Sequence, residues 1–193
     1  MDESVNNFSE DLKKAVDVMK KGGIILYPTD TIWGIGCDAS NDEAVKRIYK
    51  LKKRVDSKSM LVLVNNIPAL EKIIPEIPDV AYELLEAAVN PLTVIYDNAY
   101  GVSSELLSQD GSLGVRITDE AFSKELCRRL GRPIVSTSAN ISGKESPRFF
   151  KEIEPEILNG VDYIVKYRQQ DSKPHLPSNI IKLGKDASFR IIR

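Results

Sequence analysis

The chain has 193 residues, of which 42% are hydrophobic and 28% charged, and its formal net charge is −1 at pH 7. This composition is ordinary for a globular protein of one domain, and no apolar run approaches the length of a membrane span. Two cysteines and one histidine are too few for a disulfide scaffold, a histidine-based triad or a multi-histidine metal site. The acidic, polar N-terminus is unlike a secretory or transit signal, so we expect a cytoplasmic protein with reduced thiols.

Strands and helices alternate along most of the chain, which predicts one α/β domain over residues 1–193, built around a twisted sheet. Ser9 is expected to cap a first helix, and the apolar run at residues 24–26 indicates a buried strand that Pro28 ends. Ser40 or Asn41 is expected to cap a second helix. Asp79 is expected to cap a further helix, and others are predicted to start at Asp119 and to cover residues 149–158. Further strands are predicted at residues 61–64, 92–96, 114–117, 134–135, 163–165, 179–183 and 189–192. The last two strands form a terminal hairpin that makes the sheet mixed.

The stretch after the first predicted strand is unusually polar and glycine-rich for a connecting loop. It contains Thr29, Asp30, Thr31, Gly34 and Gly36. The glycines permit unusual turns or a close approach of the backbone to a ligand. The hydroxyl groups follow the carboxyl end of a strand, where open α/β sheets bind ligands. A tight crossover whose hydroxyl groups cap the next helix explains the same residues equally well.

The densest basic cluster lies at the end of the second predicted helix and continues beyond it. Its members are Lys46, Arg47, Lys50, Lys52, Lys53, Arg54 and Lys58. Cations at a helix C-terminus can simply offset the macrodipole and solvate an exposed face. Cations at the mouth of a loop also suit a triphosphate or a nucleic-acid backbone. Neither a P-loop nor a GxGxxG motif after a strand is present, so a nucleotide site would be of another kind.

Two further features carry candidate chemistry. Residues 136–143, STSANISG, place four hydroxyl groups and one carboxamide after a predicted strand, whereas a turn that satisfies its own backbone needs only one or two such residues. This excess favours a site that positions substrates. Arg116 lies in the predicted buried strand GVRIT, where an arginine is costly unless it is paired or holds an anion. A structural salt bridge and a carboxylate or phosphate clamp both explain it, and the clamp is slightly favoured.

From about residue 21 to the C-terminus the chain contains, in order, YPTDTIWGIGCDA, KKRVDSKSMLVLV, PLTVIY, GVRIT, IVSTSANISG and PSNIIKL. This combination resembles the YrdC/TsaC family of L-threonylcarbamoyladenylate synthases, in its short, single-domain form. The resemblance implies a YrdC-like α/β fold with a concave, basic cavity. It also implies a nucleotidyltransferase that makes threonylcarbamoyl-AMP and pyrophosphate from L-threonine, bicarbonate or CO2 and ATP. That product is the first intermediate of the threonylcarbamoyladenosine modification of tRNA.

The resemblance also assigns residues to subsites. The K-x-R signature falls on Lys52 and Arg54, and the S-x-N signature falls on Ser138 and Asn140; these four are the implied catalytic residues. The implied ATP-binding residues are Arg54, Lys58, Ser112, Ser138, Ser146 and Arg193. The implied threonine-binding residues are Thr31, Arg116, Ser136 and Ser178, with Arg116 as the carboxylate clamp.

The implied mechanism is positioning and charge neutralisation without a covalent intermediate on the protein. Mg²⁺ is expected to enter with ATP, since no dedicated protein cage for it is seen. Downstream threonylcarbamoyl-transfer proteins are implied partners. The sequence departs from the family's usual K-G-R-P-x-x-K-P-L pattern at Lys53, Val55, Ser59 and Met60. The loss of both prolines predicts a looser phosphate-binding loop.

Two other hypotheses are open. In the first, the chain binds double-stranded RNA or tRNA in a basic cavity without synthase activity. Such binding should depend steeply on salt and survive the loss of Ser138 and Asn140. In the second, the chain acts on another carbamoyl-adenylate, as the YrdC-like domain of hydrogenase maturation factors does. This chain lacks the zinc-finger and acylphosphatase segments of those factors.

Overall fold

The computed structural model describes residues 3–54, 60–173, 176–184 and 188–193, with side chains from residue 8 onward. Within these ranges the α-helices are α1 (Glu3–Lys20), α2 (Asp42–Leu51), α3 (Ile67–Glu71), α4 (Asp79–Ala87), α5 (Ala121–Leu130) and α6 (Pro155–Gly160). Short 3-10 helices occupy Ser104–Leu106 and Phe150–Glu152. The strands are β1 (Ile25–Tyr27), β2 (Gly34–Gly36), β3 (Leu61–Val64), β4 (Leu92–Tyr96), β5 (Leu113–Ile117), β6 (Ile134–Ser138), β7 (Tyr163–Ile164), β8 (Asn179–Leu183) and β9 (Phe189–Ile191). No helix in the described ranges is both long enough and apolar enough to cross a bilayer.

The described strands form one sheet in the order β7-β1-β2-β6-β3-β5-β4-β8-β9. Parallel pairing joins β1 to β7, β3 to β5 and β4 to β8. The other neighbours are antiparallel, including β6 with both β2 and β3 at the centre of the sheet. The predicted mixed α/β sheet is therefore confirmed. Its antiparallel pairs are not confined to the terminal hairpin from which the mixed character was predicted.

Apolar side chains cover both faces of the sheet because successive strand residues point to opposite sides. On one face, Leu26, Val62 and Val135 pack with residues of α2 such as Ile48. On the other face, α1 and α5 pack against Tyr27, Leu63 and Ile134. These two helices cover only part of their face.

Several helix boundaries differ from the sequence prediction for local reasons. Asn41 caps α2 as expected, because its side-chain oxygen accepts a hydrogen bond from the Ala44 N–H at 3.0 Å. Ser9, by contrast, lies inside α1, which begins seven residues earlier than predicted. The cap of α5 is Glu120, whose carboxylate accepts from the Ser123 N–H at 2.8 Å, and not Asp119.

The single helix predicted at residues 149–158 is wrong. A 3-10 turn and α6 lie there, separated by Glu154 in an extended conformation with φ −63° and ψ 144°. The break has a steric cause: the ring of Pro155 disfavours the helical conformation of the residue before it.

The glycine-rich stretch after β1 is a strand and not a loop. Gly34–Gly36 forms β2, which pairs with β1 and β6. A Cβ atom at Gly36 would lie 2.5 Å from the Val135 carbonyl oxygen and 2.6 Å from the Tyr27 ring. Close packing inside the sheet therefore requires this glycine, and a nearby ligand is not needed to explain it.

Candidate active site

A cavity of about 250 Å³ opens on the face of the sheet that α1 and α5 cover in part. Alternate residues of β6 and β3 point to this face of the sheet, and those beyond the helices line the cavity. On β6, Ile134 packs under the helices, whereas Ser136 and Ser138 lie further along the same face and line the cavity. On β3, Leu63 is under the helices and Leu61 lines the cavity. The cavity is thus the uncovered continuation of a helix-packed face. STSANISG also starts within β6 and not after it, contrary to the predicted end of that strand at residue 135.

Eight of the twelve predicted site residues line this cavity, although they come from distant parts of the chain. They are Thr31, Arg54, Arg116, Ser136, Ser138, Ser146, Ser178 and Arg193. Lys52 and Asn140 contact the wall of the cavity from behind, as described below. Lys58 lies outside the described residues.

Arg116 is a deeply buried cation of the cavity, with its side chain 3% exposed. Its Nη2 lies 3.0 Å from Asp30 Oδ1 and donates to Thr31 Oγ1 at 3.3 Å. Burial lowers the pKa of Arg116, while Asp30 opposes that shift; burial likewise raises the pKa of Asp30, against the effect of Arg116. Within the described residues, the buried Nε of Arg116 has no hydrogen-bond partner. The salt bridge considered from the sequence is therefore present, and a donor suited to an anion is left over.

The Thr29–Thr31 turn holds its hydroxyl groups through local hydrogen bonds. Thr29 Oγ1 accepts from the Thr31 N–H at 3.0 Å and donates to the Ile32 carbonyl at 2.8 Å. Arg168 donates to the Thr29 carbonyl at 3.1 Å and forms an ion pair with Glu120. The alternative in which these hydroxyl groups cap α2 is wrong, because Asn41 does so. Sequence reasoning missed Arg168, because it lies 139 positions from Thr29 in the chain and belongs to no motif.

The end of α2 directs Arg54 toward the cavity. The helix closes in a Schellman motif, with the Arg54 N–H donating to the Tyr49 carbonyl and the Lys53 N–H donating to the Lys50 carbonyl, both at 3.1 Å. This motif needs a left-handed residue, and Lys53 supplies it with φ +49°. Lys53 stands where the family's usual K-G-R pattern has glycine, which adopts this conformation without strain.

Replacing Lys53 with glycine is expected to raise the free energy of unfolding by about 0.5–1 kcal/mol, because glycine relieves the left-handed strain. Urea denaturation of Lys53→Gly measures this change. The matched control is Lys53→Ala, which removes the exposed 2.7 Å ion pair with Glu156 but keeps the strain. Equal stability of the two variants would contradict the strain argument.

Lys52 is not among the residues that line the cavity. Its Nζ donates to the backbone carbonyl groups of Ser138 and Asn140, the latter at 2.7 Å. The Ser142 N–H donates to the Lys52 carbonyl at 2.8 Å. Lys52 is 2% exposed, and burial lowers its pKa to about 8, with a further contribution from the positive charge of Arg54. In this structure the ammonium group therefore supports the wall of the cavity from behind.

Much of the remaining basic cluster is paired at the surface. Lys46 forms an ion pair with Glu43, Arg47 with Asp162, and Lys53 with Glu156. Among the described members of the cluster, Arg54 is the one that lines the cavity. The solvated-face interpretation of these lysines and of Arg47 therefore fits the structure, and a continuous basic surface for RNA is less well supported.

Three predicted nucleotide-side residues are placed differently from one another. Asn140 donates through Nδ2 to the Ile141 and Lys144 carbonyl groups, at 3.1 and 2.7 Å, behind the cavity wall. Ser112 donates to Asp110 at 2.6 Å and precedes β5, about 13 Å along the strand from Arg116. The structure does not bring Ser112 to the cavity. Arg193 does line the cavity, but its Nε donates to the Ser178 carbonyl at 3.1 Å. Ser178 is one of the implied threonine-binding residues, so Arg193 lies beside the threonine side of the cavity.

The side chains of the cavity suit anions better than a resident cation. No group of three or more His, Cys, Asp or Glu side chains that could hold a metal ion occurs in the described part of the chain. Arginines and hydroxyl groups line the cavity, and the nearby Asp30 carboxylate is engaged by Arg116. These donors do not form a magnesium site of their own.

The fold and the cavity together define an α/β protein with a cavity whose guanidinium and hydroxyl groups suit anionic substrates. The model of the Sua5/YciO/YrdC family, described as "Telomere recombination", matches residues 17–193, and this chain belongs to that family. A relative from Methanocaldococcus jannaschii is 35% identical over 187 residues, covering 94% of this chain and 86% of that protein. Threonylcarbamoyl-AMP synthase from Pseudomonas aeruginosa is 34% identical over 152 residues, covering 78% of this chain and 82% of that protein.

A solved structure of P. abyssi Sua5 complexed with L-threonine has the same fold, with a TM-score of 0.83 at 24% identity. The match covers 94% of this chain and 53% of that one, so this chain spans about half the length of that protein. The predicted family and its fold are therefore confirmed.

Proposed function

We propose that this protein is a threonylcarbamoyl-AMP synthase, which converts L-threonine, bicarbonate or CO2, and ATP to threonylcarbamoyl-AMP and pyrophosphate. The observation that carries the proposal is the buried Arg116, which lines the cavity together with Arg54 and Ser138 and whose Nε has no hydrogen-bond partner among the described residues. An amino-acid carboxylate and a nucleotide phosphate both require such donors. The curated relative with this activity supports the same reaction.

In this proposal Arg116 binds the threonine carboxylate, and Thr31, Ser136 and Ser178 surround the rest of the amino acid. The threonine amine adds to CO2 and loses a proton, which gives a carbamate. A carbamate oxygen then attacks the α-phosphorus of ATP as the bond to the bridging oxygen breaks and pyrophosphate leaves. Arg54 would neutralise the charge that develops on the leaving pyrophosphate. The protein itself would form no covalent bond and would act by positioning the reactants.

ATP is proposed to enter as its magnesium complex, so that the ion arrives with the substrate. The cavity's own side chains favour anions, which is consistent with a metal that is held by the triphosphate. The product is a reactive mixed anhydride. We therefore also propose that a downstream threonylcarbamoyl-transfer protein receives it directly.

The test is pyrophosphate release from ATP with bicarbonate and Mg²⁺, with and without L-threonine. Threonine-dependent release is expected, with stoichiometric formation of threonylcarbamoyl-AMP by mass spectrometry. Serine, alanine and valine serve as comparisons, since the hydroxyl-lined cavity should favour a hydroxyl-bearing amino acid. ATP binding without release in the presence of any amino acid would overturn the proposal.

A further inference from the structure

The side chain of Lys52 is enclosed between two carbonyl groups that belong to the same short turn. Ser138 and Asn140 flank the buried Ala139, and both of their carbonyl oxygens accept from the one ammonium group. The turn is tight, because the Asn140 N–H also donates to the Ser138 carbonyl at 2.9 Å. Two carbonyl groups that converge in this way repel each other unless a cation lies between them, and Lys52 supplies that cation.

The backbone of Lys52 adds a further link to this turn. Its carbonyl oxygen accepts from the Ser142 N–H, so the end of α2 contacts residues 138, 140 and 142 from one position. The next residue but one, Arg54, lines the cavity, as does Ser138. Lys52 therefore joins the two elements that carry the K-x-R and S-x-N signatures and fixes their separation.

A direct contact between Lys52 and a phosphate would require a different arrangement. The ammonium group has three N–H donors, and two of them already donate to backbone carbonyl oxygens. Turning Lys52 toward the cavity would break at least one charge-assisted hydrogen bond and leave a carbonyl group unsatisfied. Arg54, in contrast, already lines the cavity and needs no such rearrangement.

We propose that Lys52 is a positioning residue, which fixes the turn at residues 138–140 as a wall of the nucleotide subsite and does not itself bind the triphosphate. The proposal rests on the synthase function proposed above. It separates the K-x-R signature into two roles: Arg54 is a phosphate contact and Lys52 is a support for the adenylate side.

The two roles differ in which part of ATP they affect, and calorimetric titration with ATP and with adenosine separates them. The titrations contain Mg²⁺ but no threonine or bicarbonate, so that no turnover occurs. Lys52→Met is expected to weaken ATP and adenosine binding by the same factor, about tenfold, because the loss of charge-assisted hydrogen bonds distorts a wall that both ligands use. Arg54→Gln is expected to weaken ATP binding and leave adenosine binding unchanged. Lys53→Gln, an exposed neighbour, serves as the control for both ligands.

A second variant keeps the proposal testable if Lys52→Met does not fold. Lys52→Arg retains the positive charge but has a larger, planar head that does not fit between the two carbonyl groups. We expect Lys52→Arg to weaken the binding of ATP and of adenosine by the same factor. Retention of ATP affinity in Lys52→Arg, or selective loss of ATP but not adenosine in Lys52→Met, would show a direct phosphate contact and overturn the proposal. Unchanged binding of both ligands in Lys52→Met would overturn it as well.

Failure of the proposed function gives a different result. If the wild-type protein binds neither ATP nor adenosine, the synthase proposal fails. The amide resonances of the ligand-free protein then decide the positioning role: those of residues 138–142 should shift in Lys52→Met and stay in place in Arg54→Gln. Resonances that stay in place in both variants would refute the role of Lys52.

Discussion

Replacing Arg116 with glutamine is expected to lower kcat/KM for threonine by at least about 30-fold, because removing one buried, hydrogen-bonded charge costs about 2–5 kcal/mol. The Arg116 side chain is 3% exposed, lines the cavity and is assigned to the threonine carboxylate. Glutamine retains a polar head but neither the charge nor the two-donor geometry. Pyrophosphate release measured against threonine concentration checks this prediction.

Loss of Arg116 also leaves the Asp30 carboxylate without its 3.0 Å partner, so the variant should be less stable as well as less active. The double variant Arg116→Gln/Asp30→Asn separates these effects. It should recover much of the stability and none of the threonine dependence. Arg129→Gln is the matched control, since Arg129 pairs with Glu125 on the outer surface of α5. An unchanged KM for threonine in Arg116→Gln would contradict the carboxylate assignment.

Replacing Arg54 with glutamine is expected to lower kcat/KM for ATP by about 100-fold, the usual effect of removing one donor that stabilises developing negative charge. The Schellman motif at the end of α2 holds the Arg54 backbone in place, and burial lowers the pKa of Arg54. Because the threonine carboxylate is assigned to Arg116 and not to Arg54, KM for threonine should change little. Initial rates with each substrate varied in turn give both constants.

The adjacent Lys53 provides the control for this second prediction. Lys53→Gln removes a positive charge one position away, but that charge faces Glu156 outside the cavity. We expect its kcat/KM for ATP to equal that of the wild-type protein. A loss in Lys53→Gln as large as that in Arg54→Gln would indicate a diffuse electrostatic effect on ATP binding and contradict a specific contact.

Local patterns were sufficient for most of the elements that carry the site. The apolar runs of β3 and β4 lie at the predicted residues, and Asn41 caps α2, because burial and capping depend on neighbours in sequence. Arg116 was identified for the right reason, since a guanidinium in a buried strand needs an anionic partner wherever the strand lies. Motif resemblance supplied the subsite assignments, and the cavity brings eight of those twelve residues together.

The sequence by itself thus determined the family, the alternation of strands and helices and the presence of a buried arginine that needs an anionic partner. Only the tertiary structure decided which basic residue of this motif lines the cavity. Lys52 and Arg54 are two positions apart and share one motif, yet one donates to backbone carbonyl groups behind the wall and the other lines the cavity. The physical reason is that the carbonyl groups that bind Lys52 belong to β6 and to the turn after it, more than 80 positions away. A linear pattern records the spacing of two cations but not the groups that the fold packs against each of them.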